Sequence, residues 1–93
     1  MGNTKFKESE DVITELEHNC VLIMWNDDYN TLDWVINTLI EICGHHEEQA
    51  EQCALIIHSR GKYAVKHGDF DTLKIMADSI NERGINATVE TLA

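Results

Sequence analysis

From Cys20 to Trp25 every position is apolar, and the five residues that follow, Asn26-Asp27-Asp28-Tyr29-Asn30, form a polar turn. A short apolar run ending in such a turn predicts a buried strand, here drawn over His18 to Trp25. From Leu32 the pattern changes period. Leu32, Val35, Ile36, Leu39, Ile40 and Cys43 recur at spacings of three and four, one face of a helix. Asn30 is placed to cap this helix, with Asp33 at the capping-box position and Gly44 as its stop. A second helix starts near His46 or Glu47, its first turns acidic, with Ala50, Cys53, Ala54 and Ile57 as the inward stripe. Gly61 ends it. Lys62 to Lys66 alternates as a short strand, and Lys66-His67-Gly68-Asp69 reads as a turn. Phe70, Leu73, Met76, Ala77 and Ile80 mark a third helix, closed by Gly84, after which Ile85, Ala87 and Val89 alternate with polar residues as a last strand.

The order is β-α-α-β-α-β. A three-stranded antiparallel sheet with three helices packed on one face buries all these stripes, which makes the predicted fold α+β. Residues 1–17 carry few sizeable apolar groups, namely Phe6, Val12, Ile13 and Leu16, among many charges; they are expected to form a flexible N-terminal arm, with the folded domain over residues 18–93. The chain has 93 residues, 43% of them hydrophobic, which suits one core and one domain. Seventeen acidic residues against seven basic ones give a formal charge of −10. That balance repels phosphate, so neither nucleic acid nor an anionic membrane is an expected partner, and cationic groups are. Cys20, Cys43 and Cys53 lie inside apolar stretches, and an odd count at unpaired spacings fits a reducing cytoplasm rather than a disulfide framework. No apolar stretch approaches a membrane span or the h-region of an export signal.

Most catalytic chemistries fail on inventory. Ser9, Ser59 and Ser79 have no nucleophile-elbow context, and there is no glycine-rich phosphate loop. His46-Glu47 opens like a zinc-protease helix, but Ala50 occupies the position of the second histidine. A looser metal site from Cys43, His45, His46 and Glu48 around one helix-to-helix turn is an open alternative. The same residues also read as a solvated turn and small core thiols. More informative is the strand-to-helix junction, where Asn26, Asp27 and Asp28 present acceptors and charge at a surface edge. His58, one turn after Ala54 on the second helix, is placed to reach it. The same residues also fit a plain helix cap and a helix-end histidine.

An apolar strand, Asn26-Asp27-Asp28-Tyr29, an amphipathic helix, and then His58-Ser59-Arg60-Gly61-Lys62 at this separation resemble the ClpS family of adaptor proteins, over residues 20–93. The resemblance implies a small α+β domain that is not an enzyme and works without cofactor or metal. It implies binding of bulky hydrophobic N-terminal residues of substrates and their delivery to a Clp AAA+ ATPase, the N-terminal arm taking part in delivery. A monomer is expected, with substrates beginning in Phe, Trp, Tyr or Leu. By the match, Asn26, Asp27 and His58 hold the substrate α-amino group, and Asp28 and Asn30 orient the loop and cap the helix. The first side chain then enters a hollow lined by Leu32, Val35, Ala54 and Ile57, with Ile85 behind it. A domain of this family that regulates its ATPase without delivering substrate is a second reading, and a small metal-binding protein using Cys43, His45 and His46 a third.

The chain departs from the family pattern at three places. Asn30-Thr31-Leu32 stands where many members have Thr-Pro-Met, so a branched leucine replaces the adaptable gatekeeping methionine and weakens the exclusion of β-branched residues. Ala54 stands where a larger methionine is common, which predicts a deeper pocket favouring Trp and Phe over Leu. The segment from Val65 to Leu73 is shorter by several residues, so the family's ATPase-docking positions there do not transfer one by one.

Overall fold

A computed structural model describes residues 18–92; the arm expected over residues 1–17 lies outside them. The elements are β1 (Cys20–Trp25), α1 (Leu32–Glu41), α2 (Glu47–Arg60), β2 (Lys62–Gly68), α3 (Phe70–Glu82) and β3 (Ala87–Thr91), in the expected order. The sheet is antiparallel with strand order β2-β1-β3, so the most apolar strand is the central one.

Position explains composition. Cys20, Leu22 and Met24 point into a core completed by Leu39 and Cys43, by Ala50, Cys53, Ala54 and Ile57 of α2, and by Leu73, Ala77 and Ile80 of α3. Val21 and Ile23 alternate onto the other face and are still buried, at 4% and 7% exposure. There β1 is flanked on both sides: His67 and Glu90 pair across Val21, and Ala64 and Thr88 across Ile23. A central strand of a narrow sheet thus reads apolar throughout without a second layer of helices.

Several details differ from the sequence reading, beginning with β1, which starts at Cys20 and not at His18. β2 runs to Gly68 instead of stopping at Lys66, because His67 and Gly68 pair with Val21 and Cys20. The register shifts between Leu22 and Ile23, a bulge that the alternation pattern does not encode. The expected turn shrinks to Asp69, which is the N-cap of α3 and accepts from the Thr72 amide at 3.0 Å. Helix α1 is capped by Thr31, not Asn30: the Thr31 Oγ1 accepts from the Trp34 amide at 3.1 Å, while the Asn30 carboxamide is engaged elsewhere. The last strand starts at Ala87, so Ile85 precedes it, 2% exposed in the core.

Two turns matter for the site. Gly61 ends α2 at φ +91°, a conformation costly for any residue with a Cβ. Gly84, at φ +85°, ends α3 in a Schellman arrangement, its amide donating to Asn81 O (3.0 Å) and the Ile85 amide to Ile80 O (3.4 Å). Ile85 is therefore the apolar plug that seats this turn on the core.

The helix-to-helix turn, where a metal site was an alternative, is committed to packing. The His45 ring is buried, its Nε2 2.9 Å from Val65 O, and Lys66 Nζ donates to Cys43 O at 3.3 Å. Among the described residues no three His, Cys, Asp or Glu side chains come together as a metal site. Burial pushes the Cys43 thiol up to about 11, against the opposing pull of the Lys66 ammonium, and burial raises Cys53 as well. Both thiols are therefore protonated at neutral pH. Iodoacetamide at pH 8 is expected to leave Cys43 and Cys53 unmodified in the native protein and to label them on unfolding; rapid native labelling, read by peptide mass, would contradict this.

Candidate functional site

The end of β1 is fixed by backbone bonds on both sides. The Trp25 amide donates to Asn86 O at 3.0 Å and the Asn26 amide to Gly61 O at 2.8 Å. The Trp25 indole N–H donates to Thr88 Oγ1 at 3.2 Å, and Lys62 Nζ lies 4.7 Å from the ring centroid. Asn26 is thereby tied to the residue that caps α2, three positions after His58. Two residues 32 apart in sequence thus meet at one rim, the Asn26–Gly61 peptide hydrogen bond continuing the pairing of β1 with β2.

From there the chain turns around one carboxylate. Asp27 Oδ1 accepts from the Tyr29 amide (2.8 Å) and the Asn30 amide (2.7 Å), and Oδ2 from Asn30 Nδ2 (2.6 Å). The Asn30 amide bond, the largest effect, together with the Asn30 side-chain and Tyr29 amide bonds holds the Asp27 carboxyl below the usual carboxylate range, against the opposing effect of burial. A depressed folded pKa means the loop's order is fully present above the ordinary carboxylate pKa and is lost only as pH falls through the lowered value. Three of the roughly four acceptor positions on Asp27 are used inside the loop. Asp27 therefore contributes its charge and the loop's shape more than free acceptor sites.

Between α1 and α2, below this loop, lies a cavity of about 360 Å³. Its mouth is polar, formed by Asn26, Asp27, Asp28, Asn30 and His58, and its walls are Leu32 and Val35 of α1 with Ala54 and Ile57 of α2. Leu32 and Val35 are three apart, as are Ala54 and Ile57, so each pair presents one helix face to the other. The small Ala54 leaves the hollow open where a longer side chain would fill it. His58 and Asp28 are exposed, Asp27 and Asn30 partly buried. Tyr29 points away and is 94% exposed.

Of the residues that the sequence nominated, the structure brings Asn26, Asp27, Asp28, Asn30, Leu32, Val35, Ala54, Ile57 and His58 to this one cavity. Ile85 is not among its lining; it belongs to the core beneath the Gly84 turn. Sequence reasoning missed Trp34 and Arg83. The Trp34 indole N–H donates to Arg83 O at 3.1 Å, and the Arg83 guanidinium lies 5.2 Å from the Trp34 ring and donates to Glu41 Oε2 at 2.8 Å. Their separation of 49 residues leaves no local signal; an arginine at the C-cap of α3 reads simply as a solvated charge.

The structure is thus an α+β domain with a polar-mouthed, apolar-walled cleft at a strand end, a shape suited to binding. The family is shown by comparison: the family model described as ATP-dependent Clp protease adaptor protein ClpS matches residues 15–88, and the chain belongs to that family. It is 26% identical over 70 residues to the ATP-dependent Clp protease adapter protein ClpS of Mycobacterium tuberculosis, covering 75% of this chain and 69% of that one. It is 25% identical over 80 residues to the protein of the same name from Corynebacterium aurimucosum, covering 86% and 72%. Among solved structures, Agrobacterium tumefaciens ClpS2 bound to L-phenylalaninamide matches with a TM-score of 0.77 at 18% identity, over 81% of this chain and 98% of that one. At that identity the likeness is one of fold. The protein is thus a Clp protease adaptor by family, and no helix among its described residues is long and apolar enough to cross a membrane.

Proposed function

We propose that this adaptor, a cytoplasmic monomer without enzymatic activity, binds the free N-terminus of substrate proteins whose first residue is bulky and hydrophobic, and hands them to a Clp AAA+ ATPase. The observation that carries the reading is the pairing of chemistries in one cavity, acceptors and charge at the mouth and aliphatic walls beneath. A protein α-amino group has an ordinary pKa near 7.7 to 8.0, so at neutral pH it is mostly an ammonium with three donors. Asn26 Oδ1 and a neutral ring nitrogen of His58 accept two of them, and Asp27 and Asp28 supply negative charge across the mouth. The first side chain enters between α1 and α2. Burying a Phe or Leu side chain there is worth roughly 1.5–3 kcal/mol, and each charged hydrogen bond about 1.5–3 kcal/mol before association costs, so both halves are needed for useful affinity. The arm over residues 1–17 takes part in delivery and not in binding.

The volume supports a preference. About 360 Å³ falls within the roughly 300–1,000 Å³ of small-ligand pockets, and Ala54 keeps the hollow deep enough for an aromatic ring. Fluorescence anisotropy with peptides beginning in Phe, Trp, Tyr, Leu, Ile or Ala tests it. Aromatic first residues should bind ahead of Leu, and Ala should bind at least about tenfold more weakly than Leu, a loss of about 1.4 kcal/mol or more of buried side chain. Leu clearly ahead of Phe and Trp would contradict the pocket assignment, and no binding by any of them would contradict the function.

A further inference from the structure

Two consecutive peptide carbonyls in the turn after α3 are gripped from across the molecule. Asn30 Nδ2 donates to Gly84 O at 3.0 Å as well as to Asp27 Oδ2 at 2.6 Å, and Trp34 Nε1 donates to Arg83 O at 3.1 Å. The turn they grip is rigid: Gly84 is in the left-handed region at φ +85°, and Ile85 behind it is 2% exposed. Arg83 closes the arrangement from its other end, with Nη2 on Glu41 Oε2 at 2.8 Å and Nη1 3.4 Å from Thr38 Oγ1. The loop that carries Asn26 and Asp27 is thus pinned at both ends. Its start is held by the Asn26 amide on Gly61 O at the end of α2, and its finish by Asn30 on Gly84 O at the end of α3.

We infer that Asn30 and Trp34 are positioning residues, and that the Arg83-Gly84 turn sets the geometry of the proposed ammonium site through them. The inference deepens the N-terminus-binding reading and rests on it. A carboxamide suits the post because one NH2 group serves both acceptors at once, its two hydrogens going to a carboxylate and a carbonyl that would otherwise face each other without a donor. A hydroxyl at this place would have one hydrogen and bridge only one of them. The turn is therefore a remote control point. Changes at residues 83–84, outside the cavity lining, alter how Asn26 and Asp27 meet a substrate amine.

Asn30→Asp is the diagnostic variant, because it keeps the shape and replaces the donor with an acceptor facing two acceptors. Peptide affinity is measured as the mutant-to-wild-type ratio of Kd at each pH from 5 to 8, with Asp28, His58, Arg83 and the peptide amine present in both proteins, so that the ratio isolates the effect of the substitution. The expected ratio is about tenfold or more at pH 8 and narrows toward pH 5, because two facing carboxylates retain a shared proton at a raised pKa. Trp34→Phe keeps the ring, removes the indole N–H, and is expected to weaken binding about threefold, the loss of one neutral hydrogen bond acting indirectly. A ratio that stays near one at every pH overturns the inference, as does a loss independent of pH, which would mark a merely structural defect. A ligand-free readout separates this from the functional reading. In the apo protein the Asp27 side-chain carboxyl, followed by carbon-13 NMR titration, should move up in Asn30→Ala. If wild type binds no peptide, the function fails while this titration still decides the brace; an unchanged Asp27 midpoint overturns the brace itself.

Discussion

Acetylating the amino group of a Phe-leading peptide is expected to abolish binding, a weakening of at least about a hundredfold. The modification removes the positive charge and two of the three N–H donors, and adds bulk where Asn26 and His58 meet the mouth of the cavity. Two charged hydrogen bonds at roughly 1.5–3 kcal/mol each exceed the roughly 2.7 kcal/mol that corresponds to a hundredfold change. The apolar walls are untouched by the modification, so an acetylated peptide retaining affinity within about tenfold would show that burial alone carries recognition. Paired anisotropy titrations at one pH and salt give the answer.

The second large effect is on the protein side. Asn26→Ala and His58→Ala are each expected to weaken binding of a free Phe N-terminus by about 1–3 kcal/mol, and the double variant to bring it close to the acetylated level. Both side chains lie on the rim. His58 is exposed, and Asn26 is held by its backbone amide on Gly61 O, not by its side chain, so the fold should survive both changes. Thermal unfolding beside isothermal titration separates the effects. Because the two groups grip one ammonium, their losses should be less than additive in a double-mutant cycle. Wild-type affinity in either single variant would remove that residue from the site.

The fold was legible in the sequence because its stripes are local. Leu32 to Cys43 and Phe70 to Ile80 carry helical spacing, and Gly61 and Gly84 mark helix ends with residues suited to positive φ. The full apolar run from Cys20 to Trp25 followed from its central place, which the sheet order shows. What local pattern could not give was pairing. The bulge opposite Leu22 and Ile23, and the extension of β2 to Gly68, depend on which strand lies alongside. Asn30 was expected as the α1 cap because asparagine is a good capping residue. It lost that role to Thr31 because its carboxamide has two better partners, one of them 54 residues away. Ile85, expected behind the pocket, lies outside its lining and seats the Gly84 turn on the core, a placement that depends on the Schellman turn and not on strand alternation.

The candidate site was legible to the degree that it lies on two short segments. Asn26 to Val35 and Ala54 to His58 supply the side chains that line the cavity, and both segments lie within the residues that the family model matches. The bracing behind them is spread over α1, α3 and the turn after it, where Trp34, Arg83 and Gly84 look individually unremarkable in sequence. Net charge gives no address: the charge of −10 favours cations anywhere on the surface, and only the fold gathers Asn26, Asp27, Asp28 and His58 at the head of an apolar cleft.

The central claim is that the first side chain of a substrate sits between α1 and α2 with its amine at the loop. The measurement that tests it most directly is a nuclear Overhauser experiment on the complex with a Phe-leading peptide, read at methyl groups. Contacts from the phenyl ring to Leu32, Val35, Ala54 and Ile57 are predicted. Contacts instead to the exposed Ile75 of α3, with the α1 and α2 methyls unmoved, would contradict the account.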